Sequence, residues 1–386
     1  IVLLNTSNPI ETKFLKNDKI DACLYVGYPG QVGTKSIGNI LNGTINPSGH
    51  VSSTYTYNHK LDPTFFNSAN LTSTKQLTFA ENIYFGYYWY ETADKEGYFD
   101  DIDNEYGKGY DGVVSYPFGY GLSYTSFEWH VDSIISDNLN LLNEKEKNIT
   151  NRKAKIEIKV TVKNIGAVPG KEVVQCYITT PYYKNGIEKP HVKLMDYAKT
   201  QLLKPNEEQT LNVTIKEKDL TSYDSYNKKT YILEKGDYYL AIGTDAHDAN
   251  NNILAKKGYT PSNTDNRMDS KGNPEMVYKI TIDNDDFEKY SKNDKDIEIT
   301  NRFDDADLNL YSGTKDDQNI KYLSRSNWQD TYPLNPVNLK CENETMVYDM
   351  QYAHVPEANE NDTMPLTVIS FFCSFNCFCN LLLLFV

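Results

Sequence analysis

From residue 155 to 163 the chain alternates without a break. Ile156, Ile158, Val160 and Val162 fall on one face, and Glu157, Lys159 and Thr161 on the other. A period of two marks a strand with one face buried and one in water. Residues 173–179, 211–215, 238–242 and 278–282 repeat the pattern, separated by the turn signals Asn164-Ile165-Gly166, Pro169-Gly170, Lys204-Pro205-Asn206 and Lys235-Gly236-Asp237. Short alternating strands with such punctuation predict an antiparallel β-sandwich.

The first third of the chain has another rhythm. Residues 1–4 and 21–26 are short apolar runs stopped by Asn and Pro, which read as buried strands. Between them, 11–19 is too short and polar for more than one or two helical turns. Residues 33–41 put Ile37, Ile40 and Leu41 on one helical face. Strand, helix, strand, helix is the order of an α/β sandwich, of which the last units are present. Residues 46–78 are rich in Pro, Ser, Thr and Asn and predict an ordered surface loop anchored by Tyr55, Tyr57 and Phe65. Residues 83–92 read as a strand of aromatic residues, and 93–110, which is acidic and Gly-rich, as a solvated loop with no EF-hand spacing.

Between the two regions lies Ser115-Tyr116-Pro117-Phe118-Gly119-Tyr120-Gly121-Leu122-Ser123-Tyr124-Thr125-Ser126-Phe127. Pro fixes φ, Gly admits backbone closed to other residues, and the rings supply large buried area, so this is a packed turn and not a helix or a flexible linker. Two readings stand: a seam joining two domains, or a border of aromatic faces around a sugar-binding cleft.

Residues 116–127 closely resemble the signature ending the second domain of glycoside hydrolase family 3, the β-glucosidases and their relatives. Asp21-Ala22-Cys23-Leu24-Tyr25-Val26-Gly27-Tyr28-Pro29-Gly30-Gln31, Gly43-Thr44-Ile45-Asn46-Pro47-Ser48-Gly49 and the block from Glu81 to Thr92 resemble the same family in the same order. The blocks around Val162-Lys163-Asn164, Pro169-Gly170-Lys171 and Lys204-Pro205-Asn206 resemble its fibronectin type III-like domain. The resemblance implies a multidomain α/β plus all-β chain: a partial α/β sandwich over 1–128 followed by a fibronectin type III-like antiparallel β-sandwich over 129–285. A polar linker or extension at 286–363 and an apolar tail at 364–386 complete the division. In some members a catalytic barrel comes last, and 298–332 looks like the linker before it, with Asp304, Asp305 and Asp307 in a connecting segment.

Chemistry is sparse. The resemblance places the family's nucleophile on a (β/α)₈ barrel, which this chain lacks, and the acid/base Glu of three-domain members falls before the Tyr-Pro-Gly-Gln block in sequence that has no counterpart here. No catalytic residue is carried over. Glu81, Glu91 and Asp21 form no recognisable pair, and the six His are dispersed without a nucleophile motif. The substrate-cleft candidates are Tyr28, Gln31, Tyr88 and Trp89. Of the six Cys, Cys373, Cys377 and Cys379 crowd into the tail while Cys23, Cys176 and Cys341 are scattered, a distribution with no metal-ligand or disulfide pattern.

No cofactor is implied. A net charge of −14 argues against nucleic acid or an anionic membrane as partner and suits a neutral substrate, an oligo- or polysaccharide met through the complete enzyme. The chain opens on Ile1 in an apolar run, so no signal peptide is readable and a truncated chain is expected. Membrane contact is open only to 366–386, which reads as a membrane segment, a buried helix or a stretch out of its natural frame. Two functions follow: the accessory, non-barrel part of a β-glucosidase-like enzyme, inactive alone, or a non-catalytic module in which 84–90 and the fibronectin-like domain hold polysaccharide or a partner protein.

Overall fold

The computed structural model describes residues 1–67, 79, 81–136, 139–140, 155–264, 267–301 and 322–328, with the backbone of three short strands further on. The apolar runs at the start form β1 (Val2–Leu4) and β2 (Cys23–Tyr25), paired parallel with Val2 opposite Cys23. Helix α1 (Thr34–Leu41) turns Ile37 and Ile40 onto Leu24 and Val26, while Leu4 and Cys23 on the other face pack against Val51 and Tyr55. Strand β2 is thus covered on both faces, as a nearly continuous apolar run encodes, while Leu3 of β1 is 45% exposed.

The next elements are β3 (Tyr55–Thr56), α2 (Pro63–Asn67), α3 (Tyr87–Lys95), a small hairpin of β4 (Asp103–Asn104) and β5 (Gly107–Lys108), and β6 (Val114–Tyr116), which pairs with β3. Here two expectations fail. The aromatic stretch 83–92 is a turn followed by helix α3, not a strand. Gly86, at φ +53°, breaks the backbone just before it, and Trp89 through Asp94 are then buried in succession. A helix buried all round shows no amphipathic period, so a dense aromatic run is compatible with either element. The acidic stretch 93–110 is also not simply solvated: Asp94, Phe99 and Tyr110 are buried, although Asp103 and Asn104 are exposed.

The sandwich consists of β7 (Phe127–Ser136), β8 (Leu139–Asn140), β9 (Lys155–Asn164), β10 (Val173–Thr179), β11 (Lys193–Lys199), β12 (Glu208–Lys216), β13 (Ser222–Asp224), β14 (Thr230–Ile232), β15 (Gly236–Gly243) and β16 (Val277–Ile282). One antiparallel sheet runs β12-β9-β7-β8 and the other β11-β10-β15-β16. Ile156, Ile158, Val160 and Val162 point inward as the alternation requires, meeting Val174, Cys176, Ile178, Leu240 and Ile280 in the core between the sheets. Each such side chain contributes about 1.5–3 kcal/mol by leaving water. Strands β13 and β14 form a hairpin outside the two sheets.

Helix α4 (Ala246–Lys256) interrupts the sandwich between β15 and β16. Its run of three Asn is a poor helix former. Asp245 compensates as N-cap, accepting from the Asp248 N–H at 2.8 Å, and eight of the helix's residues are buried. Burial against Tyr177, Ala241 and Val277 of the sandwich, and against Tyr87 and Phe118, holds a helix that local propensity does not favour.

Residues 322–328 do not lead away from the molecule as a linker would. Leu323 and Trp328 enter the core of the first domain beside Tyr84 and Trp89. Two strands, β17 (Leu339–Cys341) and β18 (Glu344–Met346), pair as a hairpin, and β19 (Leu383–Phe385) adds antiparallel to β2. Asp304, Asp305, Asp307 and most of the apolar tail lie outside the described residues. Among the described residues no helix is long and apolar enough to cross a membrane.

Candidate functional site

The aromatic, Gly-rich run from Ser115 to Phe127 threads between the two domains and is held by both. Gly119 sits at φ +89°, where a Cβ would come within 2.3 Å of the Gln175 Oε1 on β10. That close approach lets Gln175 Nε2 donate to the Gly119 carbonyl at 3.0 Å and the Thr244 carbonyl at 2.5 Å, while the Tyr177 hydroxyl donates to Gln175 Oε1 at 2.7 Å. Phe118 stacks on Tyr87 at 4.2 Å, and its carbonyl accepts from the Ala246 N–H that opens α4. Further along, Thr125 Oγ1 donates to Asn164 Oδ1 at 2.7 Å. Phe118 and the backbone around Gly119 are thus taken up by the interdomain packing, whereas Tyr116 and Tyr120 pack within the first domain.

Deeper in the junction, α3 and α4 bring charged groups together. His247 Nδ1 lies 3.0 Å from Glu91 Oε2, the imidazole stacks on the Tyr110 ring at 3.7 Å, and the Tyr110 hydroxyl donates to Glu91 Oε1. Burial alone would lower the His247 ring, yet the Glu91 carboxylate, backed by Asp269 and Asp94, raises it to about 10. Burial pushes the Asp94 carboxyl up to about 8 against the pull of His247, and Asp245 up to about 7. The His247 and Glu91 side chains are 3% and 0% exposed. His247 on α4 and Glu91 on α3 are thus held by each other, and the pair ties the two helices together across the junction.

A third tie crosses from 322–328. Arg325 Nε donates to Glu96 Oε1 at 2.8 Å, and the guanidinium lies 4.3 Å over the Tyr182 ring. Glu188 accepts from Ser324 Oγ at 2.5 Å, the Arg325 N–H at 3.0 Å and the Tyr84 hydroxyl. Trp328 stands edge-on to Tyr84 and Trp89 at 4.8 and 5.2 Å.

The four residues nominated from sequence divide between two places. Tyr28, 76% exposed with its hydroxyl 3.1 Å from Ser7 Oγ, and the exposed Gln31 lie in the loop after β2, at the carboxyl end of the parallel pair. Tyr88 and Trp89 lie on α3. Tyr88 lines a groove between the domains, whereas Trp89 is 3% exposed in the core, its indole N–H donating to the Leu61 carbonyl at 2.9 Å. Sequence reading passed over His247 and Asp94 and set Glu91 aside. The Asp245 cap three residues before Asp248 was the local signal for α4, but nothing local indicates that His247 meets Glu91. Among the described residues no group of His, Cys, Asp and Glu is arranged to hold a metal ion, and Cys23 and Cys176 are buried free thiols.

Residues 1–124 match the glycosyl hydrolase family 3 C-terminal domain, and residues 172–246 match the fibronectin type III-like domain. Beta-glucosidase A of Butyrivibrio fibrisolvens is 33% identical over 255 residues, covering 64% of this chain and 28% of that protein. A beta-glucosidase of Ruminococcus albus is 32% identical over 253 residues, 64% of this chain and 23% of that protein. Among solved structures, a beta-glucosidase from Paenibacillus barengoltzii superposes with a TM-score of 0.52 at 30% identity, over 63% of this chain and 24% of that one. The chain spans about a quarter of the length of these relatives.

Proposed function

The chain belongs to glycoside hydrolase family 3 through its C-terminal and fibronectin type III-like domains, and from that premise we propose that it is the accessory, non-barrel portion of a β-glucosidase-like enzyme acting on β-linked glycosides, without turnover of its own. The observation that carries this reading is the sealed junction. A retaining glycosidase needs two carboxyl groups roughly 5 Å apart with a sugar between them. Of the carboxyl groups that this fold gathers around His247, Glu91, Asp94 and Asp245 are buried, Glu91 is engaged by His247 across the interface, and Asp269 reaches solvent. What they provide is fixed geometry: a sandwich locked to the α/β domain by Gln175, His247 and Arg325.

In this role Tyr28 and Gln31, exposed on the loop after β2, are the side chains offered toward a substrate cleft, and a catalytic barrel would supply the nucleophile. The test is an aryl-β-glucoside assay on the purified chain, in which no release above the uncatalysed rate is expected. Turnover that disappears on substitution of a single Glu or Asp of this chain would overturn the proposal.

A further inference from the structure

Between the turn before α3 and the β13–β14 hairpin runs an open groove of about 800 Å³. Tyr88 forms one wall, and Tyr223, Tyr226 and Tyr231 of the hairpin the other. Tyr226 is 74% and Tyr231 43% exposed, and Tyr223 meets Tyr231 edge-on at 5.3 Å. Large rings left in water beside a concavity are a common mark of a binding site, because each presents a flat apolar face with a polar rim.

The charged groups in the walls decide what kind of ligand fits. Glu188 is engaged by Ser324, the Arg325 N–H and Tyr84; Glu234 holds the buried ammonium of Lys189. Asp224 accepts from the backbone N–H groups of Tyr226, Asn227 and Lys228 at 3.0–3.2 Å, closing the hairpin turn on itself, and Asp219 accepts from the Lys216 N–H at 3.1 Å. These carboxylates already have partners inside the fold, so a cationic ligand would have to displace them. Of the cations lining the groove, Lys189 is paired and Lys193 is exposed, in a protein of net charge −14 that repels anionic polymers. The remaining surface is rings, hydroxyls and amides. A chain of pyranose units has the matching chemistry, with flat C–H faces for the rings and hydroxyls around the edge.

We propose that this groove is a saccharide-binding site for a neutral oligosaccharide of a few pyranose units, stacked on Tyr226 and Tyr231 and bordered by Tyr88. It stands on the groove alone and does not depend on whether the chain serves a glycosidase.

The experiment is titration of the full chain with cellopentaose and with laminaripentaose, followed by calorimetry and ligand-observed NMR. Saturable binding of at least one probe is expected. Tyr226→Ala and Tyr231→Ala should each weaken it about five- to tenfold, the loss of one ring's stacking, while Tyr231→Trp retains it. Both rings are exposed enough that truncation leaves the unfolding transition in place, which circular dichroism checks. Tyr197→Ala serves as the control, since Tyr197 is 64% exposed on β11 and does not line the groove. The proposal is overturned if neither probe saturates at millimolar concentration, or if Tyr197→Ala weakens binding as much as the groove substitutions do.

Discussion

Replacing Asp94 by Asn isolates the electrostatics of the domain junction. Asp94 is 1% exposed on α3, one helical turn from Glu91, and burial pushes its carboxyl up to about 8. In the unfolded chain the same group titrates near its ordinary value of about 4. Between those two values the folded protein holds a proton that the unfolded protein has released, so stability falls as pH rises. One such proton is worth about 1.4 kcal/mol per pH unit, so a loss on the order of 2–3 kcal/mol is expected between pH 5 and pH 7 through Asp94 alone. Asp245, raised to about 7, adds to the decline in the same direction. His247 adds no pH dependence below its unfolded value near 6.5. Its folded value of about 10 means that the stability it supplies is complete below about 6.5 and is lost as pH climbs toward 10. Urea unfolding of the wild-type chain and Asp94→Asn at pH 5, 6 and 7 measures the difference directly. The variant cannot ionise at this position, so its stability should fall less steeply, by about 1.4 kcal/mol per pH unit. Parallel slopes for the two proteins would refute the assignment of a buried, protonated Asp94.

Removing the other side of the clamp gives a sharper loss. His247→Ala leaves Glu91 buried without its cation and should cost about 3–5 kcal/mol at neutral pH, seen as a lower urea midpoint; an unchanged midpoint would mean that the pair carries no stability. Gly119→Ala forces a Cβ into the left-handed backbone at φ +89° and against Gln175, so a loss of about 1–3 kcal/mol or more is expected, and wild-type stability would show that the backbone shifts freely there. With the aryl-glucoside assay and the tyrosine substitutions in the groove, these outcomes separate the structural roles of the junction from its proposed functions.

The sandwich was readable because its alternation is strict. A register slip of one residue would turn Ile156, Ile158, Val160 and Val162 out to water, so only one arrangement satisfies the pattern. Strands β1 and β2 and helix α1 were readable for a similar reason, since their short apolar runs end at Asn, Pro and Gly. Helix α3 was not, because Trp89 through Asp94 are buried on every side and leave no periodic polar face. Helix α4 was hidden by its three Asn residues, which local propensity places in turns. Of the nominated residues, Tyr28 and Gln31 are exposed, Tyr88 lines the groove and Trp89 is in the core. The adjacent Tyr88 and Trp89 look alike in sequence, and the helix separates them by turning about 100° from one residue to the next.

By itself the sequence determined what local period and turn chemistry can encode: two regions of different architecture, the strands of the sandwich and a packed aromatic run between them. The tertiary structure alone decided which distant groups meet. Glu91 and His247 are 156 positions apart, and Trp328 reaches Tyr84 and Trp89 from beyond the sandwich. A carboxylate and an imidazole carry no mark of each other along the chain. Their pairing, and the titration that follows from it, arises only when two helices bury them in one place where water cannot screen the charge.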